Sequence, residues 1–480
     1  MFNNVIYIPE VLSPAEIDKI HQSSMRILRS TGVVFHSDEA CNLFKQHGAR
    51  VEGKKVFIPE NLVEKAISTC PLHFTVKSRN PLNNVTIGAG LPALEATRGS
   101  IYIADSSGNR RKALSEDFIA LTKLVQTSPV INLNCGGVTL PSDISQSALP
   151  AFSMIISALY TDKPLPGLTL NEKIASECLQ LAEIAYGGLE ENLVLGTICP
   201  ISPLIYDAGD LKVAFAYARA DQPLCVTSCS MAGTTSPPTL AGTLIVNNAE
   251  TLAGITLIQL IKEATPVVYG NLSSIADMRY INMATGAPEG ALLQVGACQL
   301  ARFYKLPFRG GGSLNDAKGV DIQAGGESMM NLMLNLLSGF DYIPHAIGVV
   351  DSFMSIAFEK FIIDEDMVMA LKRLARGIEV NDATLLTDLI EQVGPGGNYL
   401  TANETASLFR REFWQPSIDL RQPQSLWQSS GALDAPARAM NVCRRRLESY
   451  IKPDIPLSVE RELLNYFKNH YGQAQFLQPA

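Results

Sequence analysis

The sequence predicts an α/β protein: a (β/α)8 barrel of the TIM type with an N-terminal α+β cap and a C-terminal helical extension. Two observations carry this prediction. From about residue 126 onward, short apolar segments alternate with stretches of helical periodicity, which is typical of repeated βα units. Several of these segments end in glycine or polar residues, at the position where the strands of such a barrel carry the binding site.

Seven segments have the composition of buried strands. They are 131–137, 165–169, 193–200, 223–230, 265–271, 306–312 and 341–348. Segments with helical periodicity, such as 172–185 and 240–261, lie between them. A closed barrel needs eight strands, so we expect the missing one from residues 349–353 or from the cap.

The remaining chain divides into an α+β region before this core and a helical region after it. Ser13 and Glu16 form the signature of a capping box for a helix that reaches about Ser30, and helices are predicted at 37–47 and 59–69. Amphipathic helices are predicted in the last hundred residues, at 365–378, 382–392, 403–413 and 436–450. The predicted domains are therefore a cap (1–125), a barrel core (126–365) and a helical extension packed on the barrel (366–480).

Composition excludes several classes of function. A hydrophobic content of 46% is ample for a large core, and a formal net charge of −8 argues against a surface that binds nucleic acid. The first ten residues lack a basic region followed by an apolar one, and polar residues interrupt the longest apolar runs. We therefore predict a cytoplasmic protein that has no contact with a membrane.

Cysteine and histidine usage argues against a metal centre. The nine cysteines contain no CxxC pair, which favours reduced thiols over a disulfide framework or a zinc site. Of the six histidines, His345 is the only one in the predicted barrel. A metal-assisted lyase or hydrolase that uses His345, Asp316 and Asp321 remains an alternative, although one histidine is few for a catalytic metal.

The strongest candidate site lies between residues 306 and 364. Arg309 and His345 each stand near the end of an apolar strand, where an unpaired polar group would be costly, so both are expected to face the barrel mouth. The intervening loop is rich in glycine and polar residues, namely Gly310, Gly311, Gly312, Asn315, Asp316, Asp321 and Gln323. The alternative is structural: Arg309 pairs with Glu327 or Asp316, and His345 is a core residue bonded to the backbone.

Four stretches carry a family resemblance. They are GGGSLNDAKGVDIQAGGES (310–328), LSGFDYIPHAIGVVDSFMSIAFEKFIID (337–364), VGPGGNYLTANETASLFRREFWQPSIDLR (393–421) and GSIYIADSSGNRRKALSEDF (99–118). Together they resemble the trimethylamine methyltransferase family of corrinoid-dependent methyltransferases. Some members carry pyrrolysine on the loop after the strand that corresponds to 341–348. Here that loop reads GVVDSF, and Asp351 or Ser352 lies nearest the position.

The departure at this loop resembles the non-pyrrolysine branch, whose characterised members demethylate glycine betaine and related quaternary amines. The resemblance implies transfer of a methyl group to Co(I) of a corrinoid (cobalamin-type) cofactor, which a partner corrinoid protein supplies and this chain does not permanently bind. It implies no nucleophilic residue and no metal ligand in this chain, and it places the loop residues 310–312, Asn315, Asp316, Asp321 and Gln323 opposite the corrinoid. A homo-oligomer is expected.

If the substrate is a betaine, each candidate residue has an expected role. Its carboxylate needs a cationic or hydrogen-bonding anchor, for which Arg309 and His345 are predicted. Its ammonium favours aromatic faces or a carboxylate, and the candidates are Tyr102, Tyr269, Phe353 and Phe358, with Asp351 or Glu359 as counter-charge. His345, Asp351 and Glu359 are predicted to position the substrate. Glycine betaine is the first candidate, and proline betaine, carnitine, γ-butyrobetaine and a non-catalytic betaine-binding role are the alternatives.

Overall fold

The computed structural model describes residues 10–135, 137–190 and 192–472. Within these ranges the helices are α1 (Pro14–Ser30), α2 (Asp38–Gln46), α3 (Glu60–Thr69), α4 (Ser115–Thr127), α5 (Leu149–Tyr160), α6 (Glu172–Tyr186), α7 (Ala208–Arg219), α8 (Leu240–Ile261), α9 (Pro288–Phe303), α10 (Ile322–Leu337), α11 (Phe358–Ala375), α12 (Asp382–Leu385), α13 (Thr387–Val393), α14 (Asn403–Glu412), α15 (Gln424–Ser429), α16 (Ala435–Glu448) and α17 (Leu457–Tyr471).

The strands are short and distributed over the whole N-terminal three-quarters of the chain. They are β1 (Val33–Phe35), β2 (Arg50–Glu52), β3 (Lys55–Phe57), β4 (Phe74–Val76), β5 (Val85–Ile87), β6 (Ala93–Leu94), β7 (Tyr102–Ala104), β8 (Arg110–Lys112), β9 (Gly196–Ile198), β10 (Ile205–Tyr206), β11 (Leu224–Ser228), β12 (Met231–Ala232), β13 (Val267–Asn271), β14 (Ser274–Asp277), β15 (Asn282–Ala284), β16 (Phe308–Arg309), β17 (Tyr342–Ile343), β18 (Val349–Val350) and β19 (Ser355–Ile356).

A six-stranded parallel sheet, in the order β6-β17-β16-β13-β11-β9, is the central layer. Strand β6 comes from the region predicted as the cap and pairs with β17, so that region supplies one strand of the core sheet. The other source considered, residues 349–353, does not: β18 pairs antiparallel with β19 in a separate sheet with β7 and β8. The domain boundary at residue 125 stays a prediction, with β6 on its N-terminal side.

Two of the seven predicted strand segments form single bridges instead of full strands. Leu133 bridges Glu95 next to β6, and Pro166 bridges Leu195 next to β9, both in parallel orientation. The Asn134 N–H donates to the Pro164 carbonyl at 3.2 Å and so links these two segments to each other. Residues 131–135 and 164–169 therefore lie between the two edges of the sheet, while Gly136 is outside the described residues.

The two faces of the sheet have different partners. One face contributes Cys225, Val268 and Tyr342 to an apolar cluster that also contains Leu133 and Leu195. The hairpin β4–β5 inserts Phe74, Val76 and Ile87 into this cluster and fills its interior. The alternate residues, such as Val226 and Tyr269, belong to the larger core formed with the helices. This alternation follows from the two-residue side-chain period of a strand.

Several helices follow the sequence predictions closely. Ser13 and Glu16 form the predicted capping box at the start of α1. The predicted helix 382–392 is instead divided into α12 and α13 at Leu386, which has a φ of 50°. Helix α8 is, among the described residues, the one helix long and apolar enough to cross a membrane by length and composition. Of its most apolar window, 78% is buried inside the protein, as in a core helix.

Candidate active site

Arg309 is a buried cation without a counter-ion. It ends β16, and the register places it beside Gly270 and Tyr342 on the inner face of the sheet. Arg309 is only 5% exposed, its Nη1 has no hydrogen-bond partner, and its guanidinium forms no ion pair with any described residue. A Cβ on Gly270 would lie 2.2 Å from Thr227 Oγ1, so the glycine allows Thr227 of β11 to pack closely against β13 beside this position. Because an unpaired buried charge is costly, this arrangement favours an anionic ligand at Arg309.

The structural alternative for Arg309 does not occur. The carboxylate of Asp316 accepts hydrogen bonds from the Thr285 and Gly286 backbone N–H groups, each at 3.0 Å. Glu327 accepts from the Asp316 N–H at 2.7 Å and from the Gln323 side chain at 2.9 Å. Both carboxylates therefore hold loops in place and leave Arg309 unpaired.

A second buried guanidinium on the inner face was missed by the sequence analysis. Arg98 Nη2 donates to Glu95 Oε2 at 2.5 Å and to the Tyr342 hydroxyl at 2.6 Å, and this hydroxyl donates to the same Glu95 oxygen. Burial opposes the charged form of Arg98, but the negative charge of Glu95 raises its pKa overall. The signal was present: ALEATR places two opposite charges three residues apart in an otherwise apolar stretch.

His345 is a neutral hydrogen-bonding group at the same site. Its Nδ1 lies 3.1 Å from Thr97 Oγ1 and accepts the Arg98 backbone N–H at 3.5 Å, so the proton resides on Nε2. Burial, and then the positive charges of Arg309 and Arg98, lower the pKa of His345 well below its usual value. The imidazole therefore offers an N–H donor without a charge. Its ring lies 4.8 Å from that of Phe353.

The site carries one net positive charge. Glu95 neutralises Arg98, His345 is neutral, and Arg309 remains. Cys199 and Cys229 have solvent-exposed side chains although protein surrounds them, which places these thiols in a concave wall of the site. Burial raises the pKa of Cys199 to about 12, and the Cys229 pKa is also raised by burial, so both thiols stay neutral. A monoanionic group would complete the charge balance.

The glycines predicted to face a corrinoid have close protein neighbours. A Cβ on Gly312 would lie 2.2 Å from the His345 carbonyl oxygen, and one on Gly310 would lie 2.2 Å from the Phe340 ring. The Gly311 N–H donates to Gln294 Oε1 at 2.5 Å. The triple glycine therefore lets the loop after β16 pack directly against the strand end that carries His345. Whether this loop also faces a corrinoid stays a prediction.

The polar residues of that loop have structural partners as well. Asn315 Nδ2 donates to the Val349 carbonyl at 2.7 Å, and Asp321 caps α10 by accepting the Ala324 N–H at 2.9 Å. Gln323 donates to Glu327 on the next turn of α10. Their role towards a corrinoid is likewise still a prediction.

Asp351 and Tyr102 are already engaged by cations. Asp351 forms ion pairs with Arg110 at 2.7 Å and with Lys318 at 2.6 Å. The Arg110 guanidinium also covers the Tyr102 ring, 4.4 Å from its centre. Asp351, Ser352 and Phe353 have φ values of 55°, 51° and 73°, so the turn between β18 and β19 is in the left-handed region throughout. Among the predicted aromatic contacts, Phe353 is the one that the structure brings next to His345.

The other predicted contacts lie elsewhere. The Tyr269 ring faces the helices: its hydroxyl donates to Asn248 Oδ1 on α8 at 3.0 Å. Phe358 and Glu359 start α11 and line a cavity of about 350 Å³ with Arg110, Arg111 and Met440. Burial raises the pKa of Glu359. The structure does not bring these three residues together with Arg309. No group of three or more His, Cys, Asp or Glu residues that could hold a metal ion occurs within the described ranges.

Comparison with known proteins decides the family. A family model described as "Trimethylamine methyltransferase (MTTB)" matches residues 2–473. The chain belongs to this family. It is therefore an enzyme, a methyltransferase, as the sequence analysis predicted.

The curated relatives have nearly the same length. The chain is 36% identical over 457 residues to "Glycine betaine methyltransferase" of Desulfitobacterium hafniense (strain Y51), covering 94% of this chain and 95% of the relative. It is 34% identical over 470 residues to "L-carnitine:corrinoid methyltransferase" of Eubacterium limosum, with the same coverage of both chains.

The fold has a solved counterpart. The monomethylamine methyltransferase of Methanosarcina barkeri matches with a TM-score of 0.53 and 13% identity, over 91% of this chain and 88% of that one. At this identity the match supports the fold and says nothing about the substrate.

Proposed function

We propose that this methyltransferase transfers a methyl group from a carboxylate-bearing quaternary amine, with glycine betaine as the first candidate, to Co(I) of a corrinoid held by a partner protein. One observation carries the substrate class: Arg309 is a buried guanidinium without a counter-ion on the inner face of the sheet. A betaine is neutral overall, but its carboxylate can pair with Arg309 while its ammonium extends towards the solvent-facing end.

The geometry supports a specific mode of carboxylate binding. Arg309 would supply a charge-assisted hydrogen bond, and the neutral Nε2–H of His345 would supply a second donor. Arg98 is held by Glu95 and Tyr342, and this pairing leaves Arg309 as the uncompensated positive charge of the site. Because these groups are fixed by packing before the ligand arrives, little reorganisation is needed on binding.

The reaction requires little acid–base catalysis from the residues of this chain. The departing group is a neutral tertiary amine, so no general acid is required to expel it. When docked, the corrinoid supplies the nucleophile, Co(I). The chain's own residues bind the carboxylate, orient one methyl group outward and exclude water from the displacement. The neutral thiols of Cys199 and Cys229 in the wall are compatible with such a water-poor environment.

We also infer that the parallel sheet closes into a complete (β/α)8 barrel. The bridges of Leu133 and Pro166 and the Asn134–Pro164 hydrogen bond connect β6 to β9 through two short extended segments. Six strands and these two segments would make eight. The similarity to the monomethylamine methyltransferase supports the same fold.

The choice among betaines rests on the relatives. Glycine betaine and carnitine, named in two of them, both combine a carboxylate with a trimethylammonium, so one anchor serves either. The relative named for glycine betaine has the higher identity of these two. We therefore place glycine betaine ahead of carnitine, proline betaine and γ-butyrobetaine.

The test is a substrate panel with free cob(I)alamin as methyl acceptor. We expect methylcobalamin and dimethylglycine from glycine betaine, and little turnover of choline, which lacks the carboxylate, or of trimethylamine, which would expel a poor anionic leaving group. Turnover of trimethylamine at a rate comparable to that of the betaines would contradict the proposal, as would failure of every betaine in the panel.

A further inference from the structure

The inner face of the sheet carries two guanidiniums, of which one has a counter-ion. Arg309 forms no ion pair with any described residue, while Arg98 Nη2 donates to Glu95 Oε2 at 2.5 Å. Tyr342 links the two arginines, because its backbone pairs with Arg309 and its hydroxyl accepts a hydrogen bond from Arg98 at 2.6 Å. Burial, and then the charges of both arginines, lower the pKa of His345. The two guanidiniums therefore act on the same part of the interior.

Arg98 is positioned where a ligand can reach it. Its side chain keeps 29% of its surface accessible although protein surrounds it, so this surface opens into the recess of the site. The Glu95 side chain is only 2% accessible and has no comparable surface for contact with a ligand. A guanidinium in such a recess attracts a second anionic group unless the protein itself cancels its charge.

Glu95 cancels this charge from behind. Its Oε2 accepts hydrogen bonds from Arg98 and from the Tyr342 hydroxyl, whereas its Oε1 is buried without a hydrogen-bond partner among the described residues. The cavity next to the pair, lined also by Leu133 and Leu195, has a volume of about 10 Å³, which is room for one water molecule at most. Glu95 therefore acts on a ligand through the charge of Arg98 and not by direct contact.

The ion pair has a clearer consequence for charge than for stability. Replacing a buried ion pair by apolar residues of similar volume is often neutral or stabilising, so stability alone does not account for it. With Glu95 the site has one net positive charge, and without it the site would have two. A ligand with one carboxylate balances the first arrangement. A ligand with two negative charges would leave one of them buried and uncompensated, which is costly.

We propose that Glu95 is a specificity-determining residue that, by neutralising Arg98, restricts the site to ligands with a single negative group. The inference rests on the proposed function in one respect, the binding of a carboxylate at Arg309. Dicarboxylates, sulfate and hydrogen phosphate carry two negative charges near neutral pH, and a site with one positive charge discriminates against all of them. The single carboxylate of a betaine meets the one free guanidinium.

The experiment compares two anions of nearly the same size, malonate and its monoamide malonamate. Their dissociation constants are measured by isothermal titration calorimetry on the full-length protein at constant ionic strength, without amine or corrinoid. In the wild type we expect malonamate to bind at least as tightly as malonate. Glu95→Gln keeps the shape of the side chain and removes its charge. In this variant malonate should gain roughly tenfold to hundredfold in affinity relative to malonamate, as expected for one buried charge-assisted contact.

Three further variants make the result specific. The double variant Glu95→Gln, Arg98→Gln again has one net positive charge, so it should return to the wild-type preference. Glu39→Gln is the matched control, because it also removes a carboxylate from an ion pair with an arginine, Arg219, but both side chains of that pair are exposed. It should keep the wild-type ratio of the two dissociation constants. Arg309→Met should weaken the binding of both anions, which locates them at the site.

Three outcomes would overturn the proposal. Wild-type protein that binds malonate much more tightly than malonamate would do so without any variant, as would wild-type protein that binds neither anion. A folded Glu95→Gln variant with an unchanged ratio would limit Glu95 to holding Arg98 in place. None of these measurements involves methyl transfer. The substrate panel can therefore fail while the charge selectivity holds, and the charge selectivity can fail while betaines are turned over.

Discussion

At the scale of single residues, the proposed substrate class depends on Arg309. Its guanidinium is buried without an ion-pair partner among the described residues, whereas Arg98 is neutralised by Glu95. One arginine is therefore part of the protein's own charge balance and the other is available to a ligand. The sequence analysis predicted the second role and did not find the first.

Arg309→Met should weaken substrate binding with a much smaller effect on kcat. The contact with the carboxylate is the same in the ground and transition states, so its loss changes KM. A buried charge-assisted contact is worth about 1.5–3 kcal/mol, which corresponds to roughly a tenfold to hundredfold rise in KM. The measurement is kcat/KM for glycine betaine over choline with cob(I)alamin.

Arg309→Lys is the matched variant for this prediction, since it keeps the charge and loses the fork geometry. It should retain part of the preference for glycine betaine. If Arg309→Met folds normally and leaves the ratio of glycine betaine to choline unchanged, Arg309 is structural and the anchor lies elsewhere.

Because His345 takes up a proton more readily in the unfolded chain, we expect it to lower the stability of the protein in mild acid relative to neutral pH. Its pKa in the folded protein lies well below the usual value of about 6.5, so below that pH the unfolded chain takes up a proton that the folded chain does not. The contribution of His345 to stability is therefore largest above about pH 6.5 and falls as the pH drops towards the folded-state pKa. We expect the free energy of unfolding to fall less between pH 7.5 and pH 5.5 in His345→Asn than in wild type.

Asparagine is the suitable replacement because it tolerates the φ of 56° at this position. His36→Asn is the control for the loss of one exposed histidine. An identical pH dependence in wild type and His345→Asn would show that His345 titrates normally in the folded protein.

At the scale of elements, a buried ion pair joins the two loops of the site. Lys360 and Asp364 on α11 are both fully buried and paired with each other. Asp364 Oδ2 accepts the Ser313 hydroxyl at 2.9 Å and the Gly348 N–H at 2.8 Å. The Ser313 N–H in turn donates to the His345 carbonyl at 2.8 Å. Helix α11 therefore holds the loop after Arg309 and the loop after His345 in one register.

Asp364→Leu should destabilise the protein by about 3–5 kcal/mol, because it leaves the Lys360 ammonium buried without a counter-charge. The double variant Lys360→Met, Asp364→Leu should recover much of that stability while KM for glycine betaine stays raised, since the bonds to Ser313 and Gly348 are still missing. Chemical denaturation measures the predicted changes in stability, and steady-state kinetics measures the predicted rise in KM. A double variant with wild-type KM would limit the pair to a structural role.

At the scale of the whole molecule, what matters is which charged and metal-binding groups lie on the inner face of the parallel sheet. Among the described residues no cluster of potential metal ligands occurs, and the inner face carries one net positive charge. These features suit the proposed binding of a carboxylate-bearing substrate whose chemistry would be performed by a partner's cofactor. They also explain why the family resemblance, and not a catalytic motif, was the informative signal in the sequence.

Exhaustive chelation of divalent metals should leave methyl transfer to free cob(I)alamin unchanged, because no step assigned to this chain uses a metal. The check is the rate before and after chelation, with the metal content measured on the same samples. A loss of activity that stoichiometric zinc restores would contradict this prediction. Chelation of a known zinc enzyme in parallel shows that the treatment is effective.

The sequence by itself determined the strand–helix alternation, the bounds of several helices and the family resemblance, and it singled out Arg309 and His345 as candidates. These follow from local patterns, because period, caps and strand-end polarity are written in neighbouring residues. Only the tertiary structure decided that β6 belongs to the core sheet, that Tyr269 faces the helices, and that Asp316 and Glu327 are engaged elsewhere. Those outcomes depend on register and on partners distant in the chain. A two-residue strand such as Ala93–Leu94 is too short to show a strand periodicity in the sequence. The partner of a charged side chain cannot be predicted from the residues next to it in the sequence.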